Sequence, residues 1–377
     1  MAPARLESLK SRLPGPPAAL IEEADASTAS MDSYLRVVAP SLAPILADQE
    51  ARARLRTLAR MLPPCSLAGL ELRLRKDRHD VDFFVRLPHV DPQLSLSLLG
   101  HPDWRTIQRL CATIASPSEW LHERVRHLIL EFDLDQPPAA VPNPGLFLEL
   151  IQGEPLGTDE LLALINAVGD HRYRSTALRD NLDRCLAAMP AGAGVAHLGM
   201  MLSRPGKAVR LVLQGMEVAR IPDYLGAIGW HDPTQEFARL IAELSDHADP
   251  VAMLDLDVGE TVMPRIGVEF YQRRQAESQP HWRAFFARLL QLELGNEEKS
   301  AALLAWPGYT QERSGKDVWS ENLHLGDVLF RGMAKSIFWR NLNHIKLSYQ
   351  PGQAPEAKAY LGFGHNWFPT GPAQEAA

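Results

Sequence analysis

Cysteine is scarce in this sequence, and the few cysteines present exclude two kinds of structure. Only Cys65, Cys111 and Cys185 occur in the 377 residues, far apart and odd in number. A disulfide framework or a structural zinc site needs several cysteines at short, recurring spacings. The sequence therefore predicts neither, and so few cysteines favour a protein of the reducing cytoplasm.

Long apolar runs and an excess of positive charge are also missing. The first twenty residues are interrupted by charges and prolines, unlike the apolar core of a signal peptide. No segment approaches the ~18 consecutive apolar residues of a membrane helix. The formal net charge is -7, so no overall positive field attracts nucleic acid. We therefore expect neither a membrane nor a nucleic-acid partner, and a hydrophobic fraction of 46% can fill a large core.

What the sequence does contain is a repeated order of secondary structure. Five pairs of alternating apolar and polar runs predict β-hairpins, and a block of two predicted helices separates each hairpin from the next. The hairpins begin near Leu70, His127, Ala196, Met253 and His344.

This repeat predicts a closed barrel. Successive hairpins can join into one antiparallel sheet of ten strands that carries all its helices on one face. An open sheet of that size has two unpaired edges, and closure removes both. The predicted fold class is therefore α+β, a closed antiparallel ten-stranded barrel inside an outer ring of helices. We expect residues 1–30 to be a flexible lead-in, residues 31–365 to form the single barrel domain, and residues 366–377 to be a loose tail.

The alternation along each predicted strand assigns its side chains to two faces. The aliphatic face suits packing beneath helices, as at Leu72, Leu130, Val268 and Leu361. The other face must then point into the lumen, which in a ten-stranded barrel is too wide to be filled by side chains alone. The predicted lumen residues are Glu71, Arg73, Arg86, Glu131, Glu149, Arg210, Arg265, Glu269, Tyr271, Lys346, Lys358 and Tyr360.

The order helix, helix, strand, strand resembles the ABBA or PT-barrel fold of aromatic prenyltransferases, from about Met31 to about His365. The resemblance lies in topology more than in motifs. In that family the lumen holds an allylic diphosphate, whose phosphates are neutralised by arginines and lysines on the strands. Tyrosines shield the carbocation, and an acid on the first strand orients the nucleophile or takes its proton. The resemblance implies prenyl transfer to an aromatic or peptide-borne acceptor, as in natural-product biosynthesis.

The resemblance also implies roles for residues that match the family in kind. Glu71 on the first strand would assist the acceptor, and Tyr271 and Tyr360 would shield the cation. The other predicted substrate-binding residues are Arg73, Arg86, Arg210, Arg265, Lys346, Lys358, Glu131, Glu149 and Glu269, of which Arg86, Arg210 and Lys358 would hold the diphosphate.

The fifth predicted strand departs from the family pattern. Its sequence, "VAHLGMML", offers His197 and Met201 where the family's fungal indole branch has a Lys-x-Tyr pair. His197 and His344, both predicted to face inward, have a side chain that can act as a general base near neutral pH.

Two acidic pairs could bind a metal ion. Asp133 and Asp135, and likewise Asp255 and Asp257, lie two residues apart on one strand face, ~7 Å from each other. Such a pair can hold Mg²⁺ through one carboxylate and water, with diphosphate oxygens completing the octahedron. The helical Asp-Asp-x-x-Asp motif of all-α isoprenoid enzymes is absent. Mg²⁺ is therefore a hypothesis, with no protein ligand assigned, and no other cofactor is implied.

Three functions fit a charged lumen. The first is prenyl transfer from an allylic diphosphate. In the second, the same barrel modifies a charged substrate, such as a natural-product precursor peptide, without an isoprenoid donor. The third is a barrel that binds a small molecule or peptide without chemistry. A contiguous basic patch ringed by aromatic residues favours the first, a separate acidic pocket the second, and fully cross-paired charges the third.

Overall fold

The computed structural model of the chain describes residues 30–88, 94–153, 156–169, 173, 175–204, 206–232, 235–272, 278–312, 319, 321–329 and 334–369. The strands are β1 Leu67–Arg73, β2 Val81–Arg86, β3 Val125–Phe132, β4 Gly145–Leu150, β5 Gly194–Met201, β6 Val209–Glu217, β7 Val251–Val258, β8 Val262–Tyr271, β9 Gly308–Gln311, β10 Ala334–Tyr349 and β11 Glu356–Pro369. The α-helices are α1 Met31–Val38, α2 Gln49–Ala59, α3 Leu96–Leu99, α4 Pro102–Ala115, α5 Thr158–Val168, α6 Thr176–Ala187, α7 Ile221–Ala227, α8 Glu236–Ser245, α9 Ser278–Gln291, α10 Glu297–Ala305 and α11 Glu321–Leu329. The predicted lead-in, apart from Ser30, and residues 370–377 of the predicted tail lie outside the described residues.

Ten of these strands close into an antiparallel barrel. Strands β1 to β8 pair in chain order, β8 pairs with β10, β10 pairs with β11, and β11 returns to β1. The closing register places Glu71 opposite Tyr360 and Arg73 opposite Lys358. The prediction of a closed ten-stranded barrel is therefore confirmed, and the register joins residues almost three hundred positions apart in the chain.

The aliphatic face of the strands is buried together with the inner faces of the helices. Helix α8 contributes Phe237 and Leu240, and α9 contributes Phe285 and Leu289, to the same apolar cluster as the strands. The strand positions predicted to lie there are each at most 1% exposed: Leu72, Leu130, Val268 and Leu361. Because one face of every strand is committed to this core, the polar face must line the inside of the barrel.

The C-terminal hairpin extends beyond the prediction. Strand β10 begins at Ala334, well before His344, and β11 continues to Pro369, past the expected domain end at residue 365. The unpredicted strand β9 pairs with this extension of β10, outside the ten-stranded ring. Alternation fails here because both faces of β10 carry large apolar side chains: Phe338 packs on Tyr34, and Trp339, on the other face, packs against glycines of β11.

The three cysteines are free and buried. Burial raises the pKa of Cys65 to about 12 and that of Cys185 to about 11, so both remain unreactive thiols at neutral pH. Across the described ranges, no helix combines the length and the apolar character that a membrane span requires.

A buried lysine fixes the β1–β2 turn to the helix layer. Lys299 on α10 is 1% exposed, and its ammonium donates hydrogen bonds to the carbonyl oxygens of Arg73 at 2.9 Å, Arg75 at 2.7 Å and Arg78. Burial lowers the pKa of Lys299 to about 8. One side chain thus satisfies three carbonyl groups of the turn that carries Arg73 and Arg78 into the mouth of the barrel.

Lys299→Met should lower the free energy of unfolding by about 2 kcal/mol, because the carbonyl groups of the turn lose a charged donor. Urea unfolding at pH 7, followed by circular dichroism, measures the change. Lys207→Met, on the exposed β5–β6 turn, is the matched control and should shift the free energy by less than about 0.5 kcal/mol. Equal effects in the two variants would contradict the role of Lys299.

Candidate active site in the barrel lumen

A chamber of about 340 Å³ opens at the end of the barrel where the hairpin turns lie. Its described lining carries as many carboxylates as cations, seven of each, together with Tyr360. The carboxylates are Glu71, Asp82, Glu131, Asp133, Asp255, Asp257 and Glu356, and the cations are Arg73, Arg78, Arg204, Arg210, Arg265, Lys346 and Lys358. The lining is therefore strongly charged but formally balanced.

Glu71 lies at the centre of the charged layer. Its Oε1 accepts a hydrogen bond from Lys358 Nζ at 2.6 Å, and its Oε2 accepts one from the Tyr360 hydroxyl. Burial alone would raise the pKa of Glu71, but Lys358 and Arg73 together hold it well below its usual range. Glu71 is therefore a permanent carboxylate, suited to orienting a hydrogen-bond donor and poorly suited to accepting a proton near neutral pH.

Tyr360 presents an aromatic face to the same region. Burial and the neighbouring Glu71 raise the pKa of Tyr360 well above its ordinary value, so the phenol stays neutral and donates. The ring centroid lies 4.1 Å from that of His344 in a stacked arrangement and 6.3 Å from that of Phe84. Lys346 Nζ lies 5.9 Å from the Tyr360 ring centroid, so the ring already faces a positive charge at a cation–π distance.

Every lining cation has a carboxylate oxygen no more than 3.8 Å away. Arg210 forms the most regular pair, with its Nε 2.8 Å and its Nη2 3.0 Å from the two oxygens of Asp257. Lys346 Nζ lies 2.6 Å from Asp255 Oδ2. Such pairing prevents the chamber from presenting a contiguous basic patch, because each positive charge is already opposed.

Glu131 differs from the other lining carboxylates. Within the described ranges, no hydrogen bond or ion pair involves its carboxyl group. The strand register explains this, since Glu131 lies opposite Phe84 on β2 and Gly145 on β4, neither of which offers a polar side chain. Burial, and secondarily the charge of Glu71, raise the pKa of Glu131 to about 7.

The structure separates the predicted site residues into two groups. Eight line the chamber: Glu71, Arg73, Glu131, Arg210, Arg265, Lys346, Lys358 and Tyr360. Glu269 adjoins it, 3.7 Å from Lys346 Nζ. Arg86, Glu149 and Tyr271 lie toward the opposite end of the barrel, so the three residues predicted to hold a diphosphate, Arg86, Arg210 and Lys358, are not brought together.

A second opening lies at the opposite end of the barrel, where strands join helices. It encloses about 390 Å³, with Gln214, Met253 and Tyr271 in its lining. The Tyr271 hydroxyl donates to Glu269 Oε2 at 2.6 Å, and its ring centroid lies 4.9 Å from that of His344. Tyr271 is therefore separated from the charged chamber by His344 and Glu269.

Asp82 lines the chamber and is not among the predicted site residues. It lies opposite Glu71 in the β1–β2 register, and its Oδ2 lies 2.6 Å from Arg73 Nη1. Burial, and then the charge of Glu71, raise the pKa of Asp82 to about 6. Asp82 lies two residues before Phe84 on β2, so strand alternation places both side chains on the inward face. This alternation was the signal in the sequence that could have identified Asp82.

The histidine and metal hypotheses can be compared with the same geometry. Burial lowers the pKa of His344 to about 3, so this imidazole is a weak base. Of the predicted acidic pairs, Asp133 accepts both arms of Arg204, and Asp255 and Asp257 face Lys346 and Arg210. The part of the chain that the structure describes contains no group of three or more metal-ligating side chains.

Comparison with solved structures finds chains that resemble this one over most of its length at low sequence identity. No protein-family model matches the chain, and no curated protein matches its sequence. The prenyltransferase PriB, solved in its apo form, is 14% identical with a TM-score of 0.48 over 88% of this chain and 94% of PriB. 5-Dimethylallyltryptophan synthase from Streptomyces coelicolor is 14% identical, with a TM-score of 0.39 over 88% of this chain and 95% of that chain. AnaPT from Neosartorya fischeri is 12% identical, with a TM-score of 0.44 over 89% of this chain and 85% of AnaPT. At such identities and TM-scores the likeness assigns no substrate, and the barrel is established by its own strand pairing.

Proposed function

We propose that the chain is a transferase of the prenyltransferase type, which moves a prenyl group from an allylic diphosphate to an aromatic or peptide-borne nucleophile. The observation that carries the proposal is the central group of Glu71, Tyr360 and Lys358 in the chamber of the barrel. It combines a permanent carboxylate that can orient an acceptor N–H or O–H with an aromatic ring suited to a neighbouring cation. Arg210 and Lys346 lie in the same lining and can receive an anionic leaving group.

The proposed reaction needs three things from the protein. As the bond between the allylic carbon and the diphosphate oxygen breaks, the electron pair stays on oxygen, and Arg210 and Lys346 neutralise the growing charge. The Tyr360 ring shields the allylic cation from water. Glu71 orients the acceptor, whose electron pair forms the new bond to the allylic carbon.

The balanced lining has a consequence for the donor. A diphosphate must compete with the carboxylates for each cation, or arrive with positive charge of its own. A Mg²⁺ ion bound to the diphosphate would supply that charge, with Asp257 or Asp255 as an additional ligand. Because the described residues offer no larger ligand cluster, the donor would be the main ligand of such an ion.

Diphosphate binding should be about fivefold tighter at pH 6 than at pH 8. Burial raises the pKa of Glu131 to about 7 and those of Asp82 and Asp255 to about 6, so these carboxyls become neutral as the pH falls through this range. Their neighbouring cations are then free to bind the donor. A diphosphate also gains a proton over this range, which acts in the opposite direction, so tighter binding must arise in the chamber. Calorimetry at the two pH values measures the change, and weaker binding at pH 6 would contradict the prediction.

The proposal is tested by calorimetry with dimethylallyl, geranyl and farnesyl diphosphates, each with and without Mg²⁺. Mass spectrometry of reactions with tryptophan, tyrosine and short peptides then detects transfer. PriB has been solved with L-tryptophan and dimethylallyl thiolodiphosphate, which makes these compounds suitable first probes. If no allylic diphosphate binds under any of these conditions, the prenyl-transfer proposal is wrong.

A second candidate is the modification of a cationic substrate, such as a precursor peptide, without an isoprenoid donor. Glu131 favours it, because the described part of the chain shows no ion pair for this lining carboxylate. The pairing of every lining cation with a carboxylate instead favours a barrel that binds its ligand without chemistry. Lysine-containing peptides should then bind in the absence of any diphosphate, and Glu131→Gln should weaken that binding. Binding of such peptides without turnover in any assay would instead favour a non-catalytic binding barrel.

A further inference from the structure

Glu131 occupies a position that the proposed reaction leaves without a role. Its carboxyl group lines the chamber on β3, between the ring of Phe84 and the bare backbone of Gly145. In the described ranges nothing hydrogen-bonds to it, whereas the other six lining carboxylates each lie within ion-pair distance of a lysine or arginine. A substrate atom in the chamber can therefore approach Glu131 without displacing a protein partner.

The step that needs such a group is removal of the acceptor proton. Glu71 is held as a permanent carboxylate by Lys358 and Arg73, so its conjugate acid is too strong to retain a proton near neutral pH. Burial lowers the pKa of His344 to about 3, which leaves that imidazole a weak base as well. We propose that Glu131 is the catalytic residue that accepts the acceptor's proton, while Glu71 orients the acceptor; this rests on the proposed transferase function.

The titratable groups that face Glu131 come from five other strands and one turn. Glu71 on β1 and Asp82 on β2 act to raise its pKa, and Arg210 on β6 and Lys346 on β10 act to lower it. Tyr360 on β11 and Arg204 in the β5–β6 turn also interact with it. Burial is the largest influence, and together these groups give a pKa of about 7, close to the ideal for proton transfer at neutral pH.

The allylic C–O bond breaks, and its electron pair leaves with the diphosphate. An electron pair of the acceptor atom forms the bond to the allylic carbon, and the hydrogen on that atom leaves as a proton to a Glu131 carboxylate oxygen. Glu131 then releases the proton to water through the chamber opening, which restores its ionised form without an oxidant or reductant.

The test compares wild type with Glu131→Gln and Glu131→Asp. In the wild type, kcat should fall as the pH drops through about 7, because protonated Glu131 cannot accept a second proton. Glu131→Gln should lower kcat by about 100-fold or more and leave KM for the acceptor within about threefold, and its kcat should no longer fall as the pH drops through about 7. Glu131→Asp should have a reduced kcat that still falls at low pH. Glu119→Gln, on an exposed loop, should behave as wild type.

A second measurement does not depend on catalysis. With ¹³C-labelled glutamate carboxyl groups, the NMR resonance that disappears in Glu131→Gln should titrate near pH 7. Titration near pH 4, or a normal rate in Glu131→Gln when the wild type is active, would overturn the role of Glu131 and leave the transferase proposal intact. Failure of the wild type to transfer from any allylic diphosphate would overturn the transferase function and the role of Glu131 within it.

Discussion

Glu71→Gln should lower the free energy of unfolding by about 3 kcal/mol at pH 7, since removing one partner of a buried ion pair leaves the other charge uncompensated. Glu71 is 4% exposed and Lys358 9%, with 2.6 Å between their charged groups. Transfer should also slow by at least about 100-fold, because the acceptor loses the carboxylate that orients it. Donor binding should become tighter, because Lys358 is released toward the chamber.

The double variant Glu71→Gln/Lys358→Met is the control for this effect. Its loss of stability should be clearly smaller than the sum of the two single losses, because neither charge is then left alone. Lys358 and Arg73 hold the pKa of Glu71 in the folded protein below its value of about 4.3 in the unfolded chain. The ionised Glu71 therefore stabilises the folded protein above about pH 4.3, and this contribution is lost as the pH falls further. The difference in urea midpoint between wild type and Glu71→Gln should therefore shrink from pH 5 to pH 3. Additive single effects, or a constant difference, would contradict the ion-pair interpretation.

Arg210→Met and Asp257→Asn should change diphosphate affinity in opposite directions. Arg210 donates to both oxygens of Asp257. Loss of the arginine removes a charge-assisted contact and should weaken binding by about tenfold to 100-fold. In the absence of Mg²⁺, loss of the Asp257 charge releases Arg210 and should tighten binding by about tenfold. Calorimetry with the donor that binds wild type most tightly measures both.

A matched ion pair on the helix surface provides the comparison. Arg179 Nη1 on α6 lies 2.7 Å from Asp159 Oδ1 on α5, and both side chains are exposed on the helix layer outside the barrel. Arg179→Met and Asp159→Asn make the same chemical changes and should leave the dissociation constant within about twofold. If Arg210→Met behaves like Arg179→Met, the diphosphate is not bound at Arg210. If Asp257→Asn weakens binding, that carboxylate contributes to the donor site, for example through a metal ion.

The barrel could be predicted because strand alternation is a local signal. Leu72 and Glu71 are neighbours in sequence, and a period of two is enough to place one in the apolar core and the other in the lumen. Five hairpins of this kind, separated by helix pairs, leave few arrangements in which the backbone N–H and C=O groups of every strand edge are hydrogen-bonded. The unpredicted extension at β9 and β10 lies where this signal fails, because the neighbours Phe338 and Trp339 put large apolar side chains on both faces of β10.

The arrangement of charges could not be predicted in the same way. Alternation shows that Arg210 and Arg86 both face inward, but their positions along the barrel axis depend on strand stagger, which places only Arg210 in the chamber. Ion pairs such as Lys346 with Asp255 join strands that are not sequence neighbours. The unusual state of Glu131 results from the register with Phe84 and Gly145, so it becomes visible only once three strands are aligned.

Closure of the ring by the last strand determines when the chamber can exist during synthesis of the chain. The contact between Glu71 and Lys358 spans 287 residues, so it cannot form until the chain as far as Lys358 has left the ribosome. Until then β1 and β10 expose unpaired edges, which are sites for association between chains. Long-range closure of this kind favours slow folding. A chain shortened before β11 would lack both the cation that balances Glu71 and the strand that joins the two edges, so it should depend on chaperones or aggregate.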